Sequence, residues 1–175
     1  MKCKNNLLFF FLKSAKICIG SGFMVDMHIH TNNSDGQYST KQIVEMLKNN
    51  NTNMFSITDH DNINSCIELE NINLPEWMIY IPGIEFSALN NQYNCHILGY
   101  NIDYRNTSLI KECELIKKRR LDKIEIIIKN LENKHNIYLT EEEKKHILTK
   151  KGTTGRFEIC KVLINRGYGR KTRYI

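Results

Sequence analysis

The chain lacks the paired cysteines of a zinc ribbon or a redox motif. Its six cysteines are scattered along 175 residues and form no Cys-x-x-Cys pair. A small disulfide-stapled domain is also excluded, because a chain of this length can bury a real hydrophobic core. The default expectation is therefore a reducing, cytoplasmic environment.

A long apolar run is also missing. The longest at the N-terminus is Leu7-Leu8-Phe9-Phe10-Phe11-Leu12, which Lys13 ends after six residues. That is shorter than the apolar region of a usual signal peptide and far too short to span a membrane. Because Lys2 and Lys4 precede it, secretion stays open as a minor alternative. We treat residues 1–22 as an N-terminal extension of uncertain order, with Met24 as an alternative natural start.

Charge is distributed unevenly over the two parts of the chain. Residues 1–103 have a balance of −4 (6 basic against 10 acidic), and residues 104–175 have a balance of +10 (19 basic against 9 acidic). An acidic half suits cations, and a basic half attracts substrates that carry phosphate. The alternative interpretation of the second half is a set of solvated, lysine-rich helices.

The stretch from residue 23 to residue 36 carries an unusual density of metal-binding side chains. In an extended strand, side chains alternate between the two faces, so Asp26, His28 and His30 share one face. The other face carries Val25, Met27 and Ile29. A strand with one apolar face and one face of imidazoles and carboxylate favours a metal-lined cavity, although a bare His-x-His pair is by itself a weak signal.

Similar chemistry recurs downstream, at or near the ends of further predicted strands. Asp59-His60 follows the apolar stretch 54–58, Glu85 lies near the end of stretch 79–86, and His96 lies within stretch 93–102. A capping box at residues 39–42 predicts a helix, and a weaker helix is predicted over residues 64–74. Alternation of strands and helices predicts an α/β fold with a largely parallel sheet, whose strand C-termini gather reactive residues.

From residue 107 the pattern becomes helical. One long amphipathic helix is predicted from Thr107 to about Asn133, with Lys117-Lys118-Arg119-Arg120 on its outer face. A second helix follows the capping residue Thr140, and a third runs from Thr153 towards Gly167. We therefore divide the chain into an α/β core over residues 23–104, a helical insertion over residues 105–169 and a basic tail over residues 170–175.

Four motifs together resemble the polymerase-and-histidinol-phosphatase (PHP) family, and in particular its stand-alone phosphoesterases. They are Asp26-x-His28-x-His30-Thr31-x-x-Ser34-Asp35-Gly36, Thr58-Asp59-His60-Asp61, Gly83-Ile84-Glu85-Phe86-Ser87 and His96-Ile97-Leu98-Gly99-Tyr100. Arg119-Arg120 and the stretch from Gly155-Arg156 to Gly167-Tyr168 extend the resemblance, so that it covers residues 24–169. Each motif is weak alone, and their order and spacing make the combination specific.

The resemblance implies a distorted (β/α)7 barrel with two or three divalent metal ions at the strand C-termini. It implies that His28 and His30 bind one metal, that Glu85 bridges two, and that His96 binds the second. Asp35 and His60 would hold a third, and these two are also the candidate catalytic side chains. Asp26 and Asp59 are expected behind the ligands, where they would orient imidazoles, with a simple strand-end hydrogen bond as the alternative.

Imidazole and carboxylate ligands without thiolates suit Mn²⁺, which we expect, or Zn²⁺ or Fe²⁺. Such ions can generate a metal-bound hydroxide that attacks phosphorus, so we expect hydrolysis of phosphomonoesters or phosphodiester ends of nucleotides or short oligonucleotides. Three arginines are candidates for binding substrate phosphate, namely Arg119, Arg120 and Arg156. A solvent-facing position is the alternative for Arg119 and Arg120. Neither a membrane nor an obligate protein partner is expected.

Two departures from the family pattern leave alternatives open. Glu158 stands where the family usually has a histidine, and the family's last three ligands have no counterpart after Tyr168. The chain is therefore expected to stop before the barrel closes. Alternative functions are a truncated remnant without catalysis, a histidinol-phosphate phosphatase and a polymerase-associated exonuclease module.

Overall fold

A computed structural model describes residues 16–19, 22–90, 93–149, 152 and 155–169 of the chain. Within these residues, six strands and five helices form a mixed α/β arrangement. The described strands make two separate sheets rather than a closed barrel. The expected α/β class is therefore present, and the expected barrel is not closed by this part of the chain.

The larger sheet has four strands in chain order: β1 (Lys16–Ile19), β2 (Phe23–Ile29), β3 (Thr52–Ile57) and β4 (Ile79–Tyr80). β1 pairs with β2 in an antiparallel sense, whereas β2, β3 and β4 are parallel, as predicted for this region. β1 belongs to the segment treated as an extension of uncertain order. The rest of that segment, apart from Gly22, lies outside the described residues.

Helix α1 (Thr40–Asn49) links β2 to β3. Ser39 caps it through the predicted capping box, in which Ser39 and Gln42 each bond the other's backbone N–H. Its apolar face packs on the sheet, where Phe55 and Ile57 of β3 are fully buried. Helix α2 (Asn64–Leu69) follows β3 and is shorter than predicted, since it ends five residues before Leu74. Alternating parallel strands and helices in this region bring the C-terminal ends of β2 and β3 to one edge.

Residues 79–86, predicted as one strand with a kink at Pro82 and Gly83, form two strands, because Pro82 divides the stretch. β4 ends at Tyr80, and β5 (Gly83–Asn90) forms a two-stranded antiparallel sheet with β6 (Tyr93–Tyr100). Proline has no N–H to give to a strand ladder, and Gly83 packs so closely on the Ser56 side chain that a Cβ would collide with it. β5 remains attached to the first sheet, since its Glu85 N–H donates to Asp59 O at 3.2 Å.

The second half of the chain is helical, as its periodicity predicts. It comprises α3 (Thr107–His135), α4 (Glu141–Leu148) and α5 (Arg156–Asn165). These helices bury a core of their own, made of Ile124, Ile128, Leu139, Ile147, Ile159 and Val162. A smaller cluster joins α3 to the strands through Cys113, Ile63 and Ile84. No described helix is long and apolar enough to cross a membrane.

Candidate metal centre

The sheet edge at the ends of β2 and β3 carries the predicted ligands. His28 lies in β2 and His30 directly follows it, while His60 lies three residues beyond the end of β3. The backbone continues the parallel pairing there, with Thr58 N–H donating to Ile29 O at 2.8 Å and Asp61 N–H donating to Glu85 O at 2.9 Å. These two bonds bring three chain segments together at one edge.

Glu85 lies at the centre of the histidines. Its Oε2 is 2.8 Å from His28 Nε2 and 3.0 Å from His30 Nε2, and its Oε1 is 2.7 Å from His96 Nδ1. His60 Nδ1 is 3.6 Å from the same carboxylate. The antiparallel register of β5 and β6 places His96 opposite Ser87, two residues from Glu85, which brings it to this carboxylate.

Asp35 extends the cluster on its solvent side. Its Oδ1 is 3.5 Å from His30 Nδ1, and its Oδ2 is 3.7 Å from His60 Nε2. The rings of His30 and His60 stack with centroids 4.6 Å apart. The side chain of Asp35 is 59% exposed, so solvent reaches this end of the cluster.

The six predicted ligands form three overlapping groups in which the donor atoms lie within 4.8 Å of one another. The groups are His28, His30 and Glu85; His30, Asp35 and His60; and His60, Glu85 and His96. His28 Nε2 and His30 Nε2 approach to 3.0 Å beside a carboxylate oxygen, so two nitrogen donors and an oxygen donor converge. Converging imidazole and carboxylate donors without a thiolate fit Mn²⁺, Zn²⁺ or Fe²⁺.

The electrostatics of the cluster favour an ionised carboxylate. Burial alone would raise the pKa of Glu85, but hydrogen bonds from His30 and His28 lower it to about 2. Burial acts to lower the pKa of His30. The hydrogen bond to Glu85 and the charge of Asp35 outweigh burial, so the pKa is raised. For His60, burial dominates and lowers the pKa, which favours the neutral imidazole that binds a metal.

Asp59 is buried behind the cluster and bonds the loop that follows β2. It accepts hydrogen bonds from Thr31 N and Thr31 Oγ1 at 2.7 Å, from Ser34 Oγ at 2.5 Å and from Ser65 Oγ. The orienting contact to an imidazole that we expected is not made directly by Asp59 within the described residues. Ser34 Oγ lies between the two, 3.4 Å from His30 Nδ1. Asp26, the other residue expected behind the ligands, lies partly buried in β2.

Within the part of the chain that the structure describes, one of the three candidate arginines contacts the surroundings of the cluster. Arg120 pairs with Asp61 and donates to Ser87 Oγ at 2.7 Å, so its expected place on the outer face of α3 is wrong. Arg119, with a 63% exposed side chain, faces Glu112 at 3.9 Å. Arg156 is exposed in the first turn of α5. Adjacent residues on a helix point apart, which explains why Arg119 and Arg120 differ.

A glycine holds the insertion against the metal-binding loop. Gly152 has a φ of +96°, and a Cβ there would lie 2.8 Å from Ser34 O. Gly152 therefore packs backbone to backbone on the loop that carries Asp35. Glu158, at the position where a histidine was expected, is buried in α5 and lies 3.3 Å from Lys161 Nζ.

Residues that surround the ligands were missed from the sequence. Ser34 and Asp61 lie within quoted motifs, and nothing in their spacing shows that they bond Asp59 and Arg120. The signal that could have found Asp61 is its position directly after His60, a few residues beyond the end of β3.

Comparison with known families decides the classification. The sequence pattern described as the PHP domain matches residues 26–160, which is most of the chain. The chain belongs to the PHP domain family.

Curated relatives of this PHP chain include two enzymes. It is 23% identical over 99 residues to a 3′,5′-nucleoside bisphosphate phosphatase of Chromobacterium violaceum. The aligned region covers 57% of the chain and 35% of the relative. It is 28% identical over 111 residues to the 5′-3′ exoribonuclease Rnm of Escherichia coli. That aligned region covers 61% of the chain and 37% of the relative. The chain thus spans about a third of the length of these relatives.

Solved structures share the fold. A protein from Chromobacterium violaceum, described as an amidohydrolase with bound sulfate and no metal, superposes with a TM-score of 0.67 at 20% identity. A candidate metal-dependent phosphoesterase from Bifidobacterium adolescentis gives 0.66 at 21% identity. Each superposition covers 83% of this chain and 51% of the other, so the PHP chain shows the fold of about half of each neighbour.

Proposed function

We propose that this PHP chain is the metal-binding part of a phosphoesterase that hydrolyses phosphomonoesters or phosphodiester ends of nucleotides or short oligonucleotides. The observation that carries the proposal is the sharing of Glu85 between two of the three donor groups, while His30 and His60 are each shared as well. Ligands shared in this way would hold neighbouring cations close enough for two-metal phosphoryl transfer.

Divalent cations held in these groups, with Mn²⁺ as the first candidate, would activate water for attack on phosphorus and neutralise charge on the leaving oxygen. The chain's own side chains have distinct tasks. Glu85 is almost fully buried and kept ionised, and it would hold metal ions together with His28, His30 and the half-exposed His96. Asp35 has a 59% exposed side chain and lies beside His60, whose side chain is 15% exposed; these two are the candidates for contact with the reacting atoms.

Arg120 is the arginine best placed to bind phosphate. Its guanidinium lies beside Ser87, which is two residues from Glu85 and opposite His96 in the β5–β6 ladder. The forked guanidinium matches phosphate oxygens and is always charged. Arg119 and Arg156 are exposed and would act only on a substrate that extends over the surface of the helices.

A nucleotide is the favoured substrate for two reasons. The helical half has a charge balance of +10 over residues 104–175, which attracts polyanions. The similar curated proteins are a nucleoside bisphosphate phosphatase and exoribonucleases, so the two observations agree on the class.

The direct experiment measures Mn²⁺-dependent phosphate release by the purified chain from a nucleoside 3′,5′-bisphosphate and from p-nitrophenyl phosphate. The His28→Ala variant removes one ligand, and His135→Ala removes an exposed histidine at the end of α3 as a matched control. We expect His135→Ala to keep the activity and His28→Ala to lose it. Mn²⁺ binding without release above the His28→Ala level would show a metal-binding remnant without catalysis.

A further inference from the structure

A cavity of about 260 Å³ lies between the segment after His60 and helix α3. Its apolar lining comes from Ile63 and Ile67 on one side and from Ile110 and Leu121 of α3 on the other. Lys117 and Arg120 add positive charge to the same lining, and Glu114 and Asp61 add negative charge, with Asp61 paired to Arg120. The cavity therefore combines apolar contact surface with charged groups of both signs in a single concave site.

The cavity adjoins the candidate metal centre. Asp61 and Arg120 line the cavity, and the same two residues contact the neighbours of the cluster. Asp61 N–H donates to Glu85 O at 2.9 Å, and Arg120 Nη2 donates to Ser87 Oγ at 2.7 Å. The Asp61–Arg120 pair is thus the partition between the cavity and the metal-binding side chains.

Arg120 has an unused donor at this partition. Its Nε is buried and has no hydrogen-bond partner among the described residues. A buried N–H without an acceptor is destabilising. An acceptor supplied by a ligand would remove that cost, so the arginine is suited to a ligand that brings oxygen or ring nitrogen to the cavity wall.

We propose that this cavity holds the base of a nucleoside whose phosphate lies at the Asp61–Arg120 partition. The inference rests on the proposed function, because it assigns the part of the substrate that does not react. Sites for drug-sized ligands measure about 300–1,000 Å³, and the cavity lies just below that range, so it accommodates one ring system. The isoleucine and leucine side chains contact the faces of the ring, and burying that apolar area supplies the binding energy.

This assignment makes the cavity a specificity site for a single nucleotide unit. A mononucleotide, or the terminal nucleotide of a longer chain, would place its base against α3 and its phosphate near Ser87. Lys117 and Arg120 would then neutralise charge on the phosphate side of the ligand. A phosphomonoester without a base would leave the cavity empty and lose the binding energy of that contact.

The test uses the full chain without added metal and adenosine as the probe, so that it does not depend on catalysis. Isoleucine methyl NMR signals are the reporters, because Ile63, Ile67 and Ile110 line the cavity. Adenosine at millimolar concentration should shift these three methyl signals and leave those of Ile43 and Ile147, which lie in separate cores, unchanged. Absence of shifts at the cavity methyls, or equal shifts with ribose alone, would overturn the proposal.

Two variants locate the binding. Ile67→Trp fills the cavity from a partly exposed position, and Leu121→Trp is the alternative if the first variant does not fold. Leu115→Trp adds the same side chain to an exposed position of α3 outside the cavity, as the control. Adenosine binding should weaken at least about tenfold in the filled variant and stay unchanged in the control, which corresponds to about 1.4 kcal/mol. Equal binding by Ile67→Trp and Leu115→Trp would contradict the assignment.

Adenosine binding and phosphate release, measured separately, test the base site and the catalytic function independently. Adenosine binding in the cavity by a chain that releases no phosphate from any ester would support the base site and contradict the catalytic proposal. Phosphate release with equal kcat/KM for a nucleoside bisphosphate and for glycerol 2-phosphate would support the catalytic proposal and contradict the base site.

Discussion

The guanidinium of Arg120 pairs with the carboxylate of Asp61, and this contact ties the long helix α3 to the strand end that carries His60. Asp61 is 3% exposed in its side chain, so little solvent weakens the pair. The other carboxylate oxygen of Asp61 accepts from Ser87 N–H at 2.8 Å, on the far side of Glu85. The Arg120–Asp61 ion pair therefore connects α3 with Asp61, which in turn bonds the backbone of Glu85 and of Ser87.

Replacing Arg120 by alanine should destabilise the chain by about 1–3 kcal/mol, because it leaves the buried Asp61 carboxylate without its cation. The estimate lies below the cost of breaking a fully buried pair, since the Arg120 side chain keeps 29% exposure. The free energy of unfolding in urea measures the loss. The neighbouring exposed Arg119→Ala should change it by no more than about 0.5 kcal/mol. Equal effects of the two substitutions would show that the pair does not connect the two parts.

Asp59→Asn should loosen the metal-binding loop. The carboxylate accepts four hydrogen bonds from Thr31, Ser34 and Ser65, and an amide would turn a donor towards some of these donors. We expect a loss of roughly 2–4 kcal/mol in the free energy of unfolding. Because Ser34 also approaches His30, Mn²⁺ affinity should fall about 10–100-fold, as for other groups that orient ligands.

Asp122→Asn, at an exposed position of α3, serves as the control for that substitution. It should leave both the free energy of unfolding and the Mn²⁺ affinity unchanged within error. Unchanged Mn²⁺ affinity in a folded Asp59→Asn protein would mean that the loop does not need this carboxylate to place His30.

Much of the fold follows from local sequence signals. The capping boxes at Ser39 and Thr140 and the periodicity of α3 depend on residues within a few positions of one another, so they can be read directly. The gathering of His28, His30 and His60 follows from a general property of parallel strands, whose C-terminal ends meet at one edge. Those features require no knowledge of tertiary contacts. Glu85 lies near the start of β5 and joins them through a single bridge between its backbone and that of His60.

Other features depend on contacts between distant residues and were not predictable in this way. The inward position of Arg120 depends on Asp61, which lies 59 positions away in the sequence. Pro82 and Gly83 predict a kink between β4 and β5, but the close packing of Gly83 on Ser56 at that point depends on a distant contact. Asp59 was expected beside an imidazole, and Thr31, Ser34 and Ser65 supply donors that no pattern in the sequence associates with it.

Mn²⁺ binding should depend on pH through His30. Contact with Glu85 raises the pKa of this imidazole despite its burial, so a proton competes with the cation at higher pH than for a free histidine. The Mn²⁺ affinity should therefore rise with pH between about 6 and 8, with about one proton released at this histidine. Calorimetric titrations in buffers of different ionisation enthalpy count the protons. His30→Asn should lose that proton release, and His135→Asn should keep it; a pH-independent affinity would contradict this account of His30.

Glu85→Gln should reduce the number of Mn²⁺ ions bound per chain. Glu85 belongs to two of the three donor groups, and the amide removes the negative charge that holds the histidines and the cations together. The loss of affinity should exceed the roughly 10–100-fold effect of residues that only orient ligands. Metal analysis after equilibrium dialysis measures the ratio. Glu112→Gln, at an exposed position of α3, should bind as many ions as the unchanged chain.

Anomalous diffraction at the manganese absorption edge, from crystals of the chain grown with Mn²⁺, tests the central claim most directly. The account predicts at least two peaks that share Glu85, one bounded by His28 and His30 and the other by His60 and His96. Crystals that hold Mn²⁺ only elsewhere, with no anomalous peak within bonding distance of the Glu85 carboxylate, would contradict it.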